Sequence, residues 1–247
     1  MAYEDNALDI GRVMRCTGAV VGARPAAIFG IAAVSMAVPA AISYALGEPG
    51  RDAAARGMGL AGGMMMLGLI ANAAMQAALF RITIDEAAGV RRGMSEIVPG
   101  ALRALPAMIG LTILSWLGIF GASLLLVVPG IIVALMWAVA GPALIARQEG
   151  VLAALGYSRA ITRGARGSLF LLLGGIGIVV SIIAIGAFMA KPDLAMPGGV
   201  TVGILVIQVA INAVVYALWS VLTAAIYVDL SAGDGELASE RYAEVFA

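Results

Sequence analysis

Six long apolar runs without a charged side chain alternate with short polar segments along the chain. The runs cover residues 25–46, 57–80, 104–128, 130–146, 168–190 and 200–228. An α-helix needs about 20 apolar residues to cross the hydrocarbon core of a bilayer, and most of the runs reach that length comfortably. The uncharged stretch 104–146 is too long for one crossing, and Pro129-Gly130 within it is a helix-breaking signal. The pattern predicts an all-α polytopic membrane protein with six transmembrane helices in a single domain, residues 1–247. The alternative is that residues 104–146 form one re-entrant segment, which would also reverse the direction of the chain.

Basic residues lie mostly in alternate connections between these runs. Of the 15 lysines and arginines, three are in the remaining connections, namely Arg51, Arg56 and Lys191. The others are Arg12, Arg15, Arg24, Arg81, Arg91, Arg92, Arg103, Arg147, Arg159, Arg163, Arg166 and Arg241. Because cytoplasmic loops of membrane proteins are enriched in lysine and arginine, both termini are predicted to lie in the cytoplasm, with 229–247 as an acidic cytoplasmic tail. The predicted location is a membrane that the chain crosses several times.

Each pair of runs follows a short segment in which apolar residues recur at helical spacing beside arginines. The three apolar stripes are Leu8, Ile10, Val13 and Met14; Met94, Ile97, Val98, Leu102 and Leu105; and Val151, Leu152, Leu155, Ile161 and Leu169. Such stripes are typical of helices that lie in the membrane interface. The chain is therefore predicted to contain three parallel repeats of an interfacial amphipathic helix plus a transmembrane hairpin. The alternative is that any membrane hairpin preceded by a basic loop has this pattern.

Segment 147–167 carries four arginines and one acidic residue, Glu149. Three of these arginines, Arg159, Arg163 and Arg166, are predicted to bind anionic lipid headgroups, because basic residues beside a membrane attract them. The alternative is that they only set the topology.

Two pairs of amide side chains lie inside the apolar runs. Asn72 and Gln76 are four residues apart, as are Gln208 and Asn212, so each pair occupies one helix face. Unpaired amides are costly in hydrocarbon, so the two pairs are predicted to hydrogen-bond across the bundle. Alternatively, they line a polar path for a substrate.

The sequence contains no histidine and a single cysteine, Cys16. This composition removes histidine-based nucleophile activation, histidine-based acid–base catalysis and the usual zinc sites. No Asp, Glu, Lys or Arg lies within any predicted span, which argues against a proton-coupled transporter. The chain is predicted not to be an enzyme and to use no cofactor, metal or nucleic acid.

A set of short motifs resembles one bacterial family. They are Val128-Pro129-Gly130-Ile131-Ile132, Gly141-Pro142-Ala143-Leu144-Ile145, Glu149-Gly150-Val151-Leu152-Ala153-Ala154-Leu155, Ser158 and Ile161-Thr162-Arg163-Gly164. They are similar to the membrane domain that precedes glycerophosphodiester phosphodiesterase catalytic domains and to its stand-alone relatives, including the YciC-like inner-membrane proteins. The family's arginine before the serine is replaced here by Tyr157. The catalytic domain of that family uses histidine and acidic metal ligands, and this sequence contains no histidine. The resemblance therefore implies only the membrane part, located in the bacterial cytoplasmic (inner) membrane.

Two functions follow as expectations. The first is a non-enzymatic membrane protein that binds membrane lipids, above all anionic ones, or a partner protein, and supports envelope or membrane homeostasis. The second is a permease or channel for a lipid-derived or small neutral solute, with the amide pairs along its path. The absence of buried charge within the runs favours the first.

Overall fold

The computed structural model describes residues 8–46, 54–189 and 202–232. Within these ranges the chain forms nine α-helices, and none of the described residues lies in a strand. The helices are α1 Ile10–Ala23, α2 Pro25–Leu46, α3 Ala54–Ala87, α4 Met94–Leu125, α5 Val127–Met136, α6 Ala140–Arg147, α7 Val151–Ile161, α8 Arg166–Met189 and α9 Val202–Ala232.

Local sequence signals set the first helix boundaries. Asp9 precedes α1, and its carboxylate accepts a hydrogen bond from the backbone N–H of Arg12 at 3.0 Å, as expected of a helix N-cap. The chain turns at Arg24, and α2 begins at Pro25, where the missing N–H of proline has no intrahelical partner to lose. The helix ends at Leu46, so its bounds agree with the predicted first run.

Five segments are long and apolar enough to cross a membrane, and α7 with α8 forms a sixth if that bent pair counts as one span. The five are Pro25–Ile42, Gly62–Ala87, Met94–Leu125, Val127–Arg147 and Val206–Ala232. Their outward faces carry large apolar side chains such as Trp116, Phe120 and Leu124, which a water-soluble protein of this size would not leave exposed in such number. The all-α polytopic prediction is therefore confirmed, with five to six spans. The chain has the architecture of a membrane-embedded protein.

The turn between the third and fourth spans falls at a different residue from the one predicted. Leu126 is extended, with φ −167° and ψ 151°, and connects α4 directly to α5. Pro129 lies in the first turn of α5, where backbone N–H groups have no intrahelical partner, so it starts a helix and does not break one. Gly130 allows the hairpin to close, since a Cβ there would meet the Ser123 backbone of α4 at 3.2 Å.

Both α3 and α4 extend beyond the predicted spans. α3 continues past Phe80 to Ala87, and α4 begins at Met94, ten residues before the predicted start at 104. The second predicted interfacial segment is thus not a separate helix but the first turns of a spanning helix. The other two predicted interfacial segments do form short separate helices, α1 and α7, and α7 meets α8 at an angle of 104°.

Helix α9 occupies the centre of the packing. It packs against α1, α2, α3 and α6, and the side chains of Val221, Ala225 and Ile226 are almost fully buried. α9 ends at Ala232, four residues beyond the predicted end of the sixth run at Val228. Residues 233–247, most of the predicted acidic tail, lie outside the described residues.

Polar contacts gather at one end of the bundle. Arg24, at the start of α2, pairs with Glu86 at the end of α3, and Asp9, before α1, donates its backbone N–H to Asp229 near the end of α9. We call this region the charged end; it comprises the first turns of α1, α2 and α4, the last turns of α3, α6 and α9, and α7.

Candidate functional site

A buried carboxylate organises the end of α3. The Asp85 side chain is only 8% exposed, and its Oδ2 lies 3.4 Å from Arg81 Nε and 3.9 Å from Arg92 Nε. Arg81 precedes Asp85 by four residues on the same helix, so the two side chains share a face. Arg92 approaches from the α3–α4 turn, so Asp85 holds two arginines from different segments in place.

A second ion pair joins α2 to α3. Arg24 Nε lies 3.1 Å from Glu86 Oε2, with the two side chains 20% and 17% exposed, and Arg24 Nη1 donates to the Arg92 carbonyl oxygen at 2.9 Å. One guanidinium therefore bonds to both the end of α3 and the turn that follows it. This contact fixes the separation of the first two spanning helices at the charged end.

A third carboxylate, Asp229, fixes α1 against α9. Its side chain is 6% exposed, its Oδ2 accepts the Asp9 N–H at 3.1 Å, and its Oδ1 lies 3.2 Å from Arg12 Nη1. The hydrogen bond from the Arg12 N–H is the main reason why the pKa of Asp9 is lowered from its ordinary value. Burial, assisted by the charge of Asp229, raises the pKa of the nearby Cys16 thiol.

A cavity of about 350 Å³ lies between α3, α4 and the end of α6. Its charged lining consists of Arg81, Arg92, Arg103 and Glu96. Its apolar lining includes Ala101, Ala104, Ala107, Leu144 and Ile145. The cavity therefore combines an excess of positive charge with hydrocarbon walls, and we call it the basic cavity.

The three arginines of the basic cavity differ in how they are held. Arg81 and Arg92 are less than half exposed and are oriented by Asp85. Arg103 is exposed, and within the described ranges it makes no hydrogen bond or ion pair. The cavity thus presents two pre-positioned guanidinium groups and a third that is free to turn toward a bound anion.

The arginines predicted to bind lipid lie elsewhere on the charged end. Arg159 on α7 and Arg163 in the turn after it are exposed, whereas Arg166 at the start of α8 is partly buried. Arg166 Nε is buried and has no hydrogen-bond partner among the described residues. None of the three lines the basic cavity. Arg159 and Arg163 are on the protein surface beside the corner where α7 meets α8, and Arg166 lies partly buried at the same corner.

The serine and threonine of the predicted family motif have a structural role here. Ser158 Oγ donates to the Met136 carbonyl oxygen at 2.8 Å, and Thr162 Oγ lies 3.5 Å from the same atom. Met136 ends α5, where the helix is interrupted before α6 and carbonyl groups lose their helical partners. These two hydroxyls therefore join α7 to the break between α5 and α6. Their neighbour Tyr157 lies under Arg147, whose Cζ is 4.2 Å from the ring centroid.

The predicted amide pairs are arranged differently from each other. Gln76 Nε2 donates to Asn72 Oδ1 at 3.1 Å within α3, and both side chains are partly buried. Gln208 is exposed on α9, Asn212 is partly buried, and across the described ranges no hydrogen bond joins them to the α3 pair. The first pair thus makes a hydrogen bond within one helix. A role for any of the four amides in a polar path stays a prediction.

Neither the buried acids nor the basic cavity follows from the hydropathy pattern. Asp85 and Glu86 come after an apolar run that ends at Phe80, so hydropathy alone puts them in the connection between two spans. The four-residue spacing of Arg81 and Asp85 is a signal that the helix continues. In the part of the chain that the structure describes, no group of three or more Cys, Asp or Glu side chains is arranged to hold a metal ion.

Comparison with protein-family models, curated proteins and solved structures finds no significant match to this chain. The family resemblance therefore stays a prediction based on the motifs.

Proposed function

We propose that this chain is a non-enzymatic protein of the bacterial cytoplasmic membrane and that it binds anionic lipid headgroups at its charged end. Its role in this proposal is that of an accessory protein in envelope or membrane homeostasis. The proposal also places both termini in the cytoplasm, because most of the basic residues lie in the connections on the same side of the membrane as the termini. The membrane domain of the glycerophosphodiester phosphodiesterase family is the relationship that its motifs favour.

The observation that carries the proposal is the pair of exposed arginines beside the α7–α8 corner. Arg159 and Arg163 are exposed, and no ion pair with another described residue neutralises either of them. Leu152 on α7 is also exposed, so apolar and basic groups lie on one short helix that meets the apolar α8 at 104°. A helix with this combination suits the boundary between headgroups and acyl chains.

The expected contribution of these arginines follows from membrane electrostatics. Each basic residue near an anionic surface contributes about 1 kcal/mol, so Arg159 and Arg163 together are expected to change lipid affinity by roughly 30-fold. Arg166 is partly buried, so its replacement also disturbs packing and is a less direct probe.

The test compares lipid retention by purified variants. Protein with both Arg159→Gln and Arg163→Gln is exchanged into nanodiscs of mixed phosphatidylglycerol and phosphatidylcholine, and the retained lipid is measured by native mass spectrometry. We expect the phosphatidylglycerol enrichment to fall in the double variant and not in Arg91→Gln, an exposed arginine outside this corner. Enrichment equal to that of the unmodified protein would refute the proposed site.

A further inference from the structure

We propose that the basic cavity is a binding site for one phosphate-bearing anion, with the phosphate on Arg81, Arg92 and Arg103 and the attached carbon chain along the apolar wall. The inference deepens the proposed lipid-binding function but assigns it to a separate, partly enclosed site. The outer corner attracts lipid in general, whereas the basic cavity holds a single molecule.

Hydrogen-bonding capacity is the first support. Each guanidinium carries five N–H donors, and a carboxylate offers about four acceptor positions. Asp85 therefore cannot satisfy both Arg81 and Arg92. Both arginines line a cavity, to which Arg103 adds a further set of donors. Arginine binds phosphate through two parallel hydrogen bonds, so a group with several anionic oxygens suits a cavity lined by three guanidinium groups.

The charge balance is the second support and favours a singly charged ligand. Three arginines and Glu96 line the cavity, and Asp85 lies directly behind two of the arginines. This set carries one positive charge in excess. A phosphodiester, which has one negative charge, neutralises it, whereas a phosphomonoester with two leaves an excess of negative charge in a partly enclosed site.

Volume and depth are the third support. About 350 Å³ is near the lower end of small-molecule sites, which run from about 300 to 1,000 Å³. The side chains of Ala101, Ala104 and Ala107 offer a bare phosphate no hydrogen-bond donor, but they suit a glycerol unit and the first methylenes of an acyl chain. The cavity lies beside the end of α3 and the first turns of α4, two helices long and apolar enough to span a membrane, so we expect it near the depth of phospholipid headgroups.

The chain offers two variants that alter the cavity in independent ways. Arg103→Gln removes a charge from an exposed residue that pairs with no other described residue, so the fold should tolerate it. Gly100→Leu adds an apolar side chain to the cavity lining without altering charge, and the fold should tolerate it because a Cβ at Gly100 meets no atom within 4 Å. Arg91→Gln is the matched control for Arg103→Gln. Arg91 is also an exposed arginine, but it lies in the α3–α4 connection and does not line the cavity.

The experiment measures binding to the full-length protein in detergent by isothermal titration calorimetry. The probes are dihexanoyl phosphatidylglycerol, dihexanoyl phosphatidylcholine and inorganic phosphate. Arg103→Gln is expected to weaken phosphatidylglycerol binding about tenfold, as for loss of a charged hydrogen bond. Gly100→Leu is expected to weaken it by at least as much, and Arg91→Gln by less than twofold. Thermal unfolding of each variant checks that the fold is intact.

The probes separate the two sources of a phosphate group. Tighter binding of dihexanoyl phosphatidylglycerol than of inorganic phosphate, with both weakened by Arg103→Gln, supports a lipid headgroup. Equal binding of the two supports a free phosphate as the ligand of the same site. Unchanged binding of both in folded Arg103→Gln and Gly100→Leu proteins overturns the inference, as does an equal loss in Arg91→Gln.

The same measurements separate this inference from the proposed function. The Arg159→Gln and Arg163→Gln double variant should bind dihexanoyl phosphatidylglycerol normally while losing enrichment of phosphatidylglycerol in nanodiscs. If nanodisc enrichment depends on the α7–α8 corner but the cavity variants bind normally, the proposed function stands and the basic cavity is rejected. If the cavity variants lose binding while the double variant keeps its enrichment, the cavity stands and the corner is rejected.

Discussion

Replacing Glu86 with glutamine removes one charge from the contact that joins α2 to α3. Glu86 Oε2 lies 3.1 Å from Arg24 Nε, and both side chains are about four-fifths buried. At that distance, Coulomb's law with an effective dielectric constant of about 20 gives an attraction of roughly 5 kcal/mol. Desolvation of the two charges offsets part of it, so the net coupling must be smaller.

Two reference values bracket the expected effect of Glu86→Gln. Exposed ion pairs contribute about 0–1 kcal/mol, and removal of one partner from a buried pair costs about 3–5 kcal/mol. Arg24 and Glu86 lie between these cases, and Arg24 keeps its bond to the Arg92 carbonyl oxygen. We expect the free energy of unfolding to fall by about 2 kcal/mol in Glu86→Gln.

The assay is reversible unfolding in mixed micelles, applied to a double-mutant cycle of Glu86→Gln and Arg24→Gln. The two losses should be non-additive, with a coupling energy of about 1–2 kcal/mol. Glu149→Gln is the control, since Glu149 is half exposed and pairs with Arg147 only two residues away. A loss below about 1 kcal/mol is expected there. Full additivity of the Arg24 and Glu86 losses would refute the claim that this pair holds the two helices together.

Three further predictions concern packing, the amide pair and the thiol. A Cβ at Gly118 would overlap the Trp137 ring, so Gly118→Ala should lower the free energy of unfolding by about 1–3 kcal/mol. Gly121→Ala should not, because that site is open; equal losses would contradict the α4–α5 packing. Gln76→Leu should lower the free energy of unfolding by only about 0.6 kcal/mol, because it removes one hydrogen bond within a membrane helix. A loss above about 2 kcal/mol in the same assay would show that Gln76 does more than bond to Asn72. Burial raises the pKa of the Cys16 thiol, so its alkylation should reach half-maximal rate at a higher pH in the folded protein than in the unfolded chain. A half-maximal rate at the same or a lower pH in the folded protein would contradict the burial of the thiol.

The spanning helices were largely predictable, because membrane crossing is a matter of apolar length. The first run agrees with α2 at both ends, since Pro25 marks its start. The end of α3 was missed because hydropathy reports contact with lipid and not backbone hydrogen bonding. A helix can continue through Arg81 and Asp85 when their charges pair on one face.

The turn after α4 was misplaced for a related reason. Pro129 was interpreted as a helix breaker, but a proline is tolerated in the first turn of a helix. Nothing in the local sequence distinguishes an end at Pro129 from a start at Val127. The choice depends on packing between the two helices, where Gly130 fits against Ser123.

The basic cavity was not predictable from sequence, because its lining comes from three separate segments. Arg81, Arg103 and Ile145 are brought together only by the packing of α3, α4 and α6. The prediction that Arg159, Arg163 and Arg166 bind lipid rests on charge density along the chain, a criterion that detects the exposed corner at Arg159 and Arg163. It does not detect a site assembled from distant helices.

The orientation of the charged end tests the proposed function most directly, because that proposal places the charged end in the cytoplasm. Cysteine is introduced by Arg163→Cys or Arg51→Cys into a Cys16→Ala background, and intact spheroplasts are treated with a membrane-impermeant maleimide. Arg51→Cys should be labelled at once, and Arg163→Cys only after the membrane is opened. Labelling of Arg163→Cys in intact spheroplasts, with Arg51→Cys protected, would contradict the account.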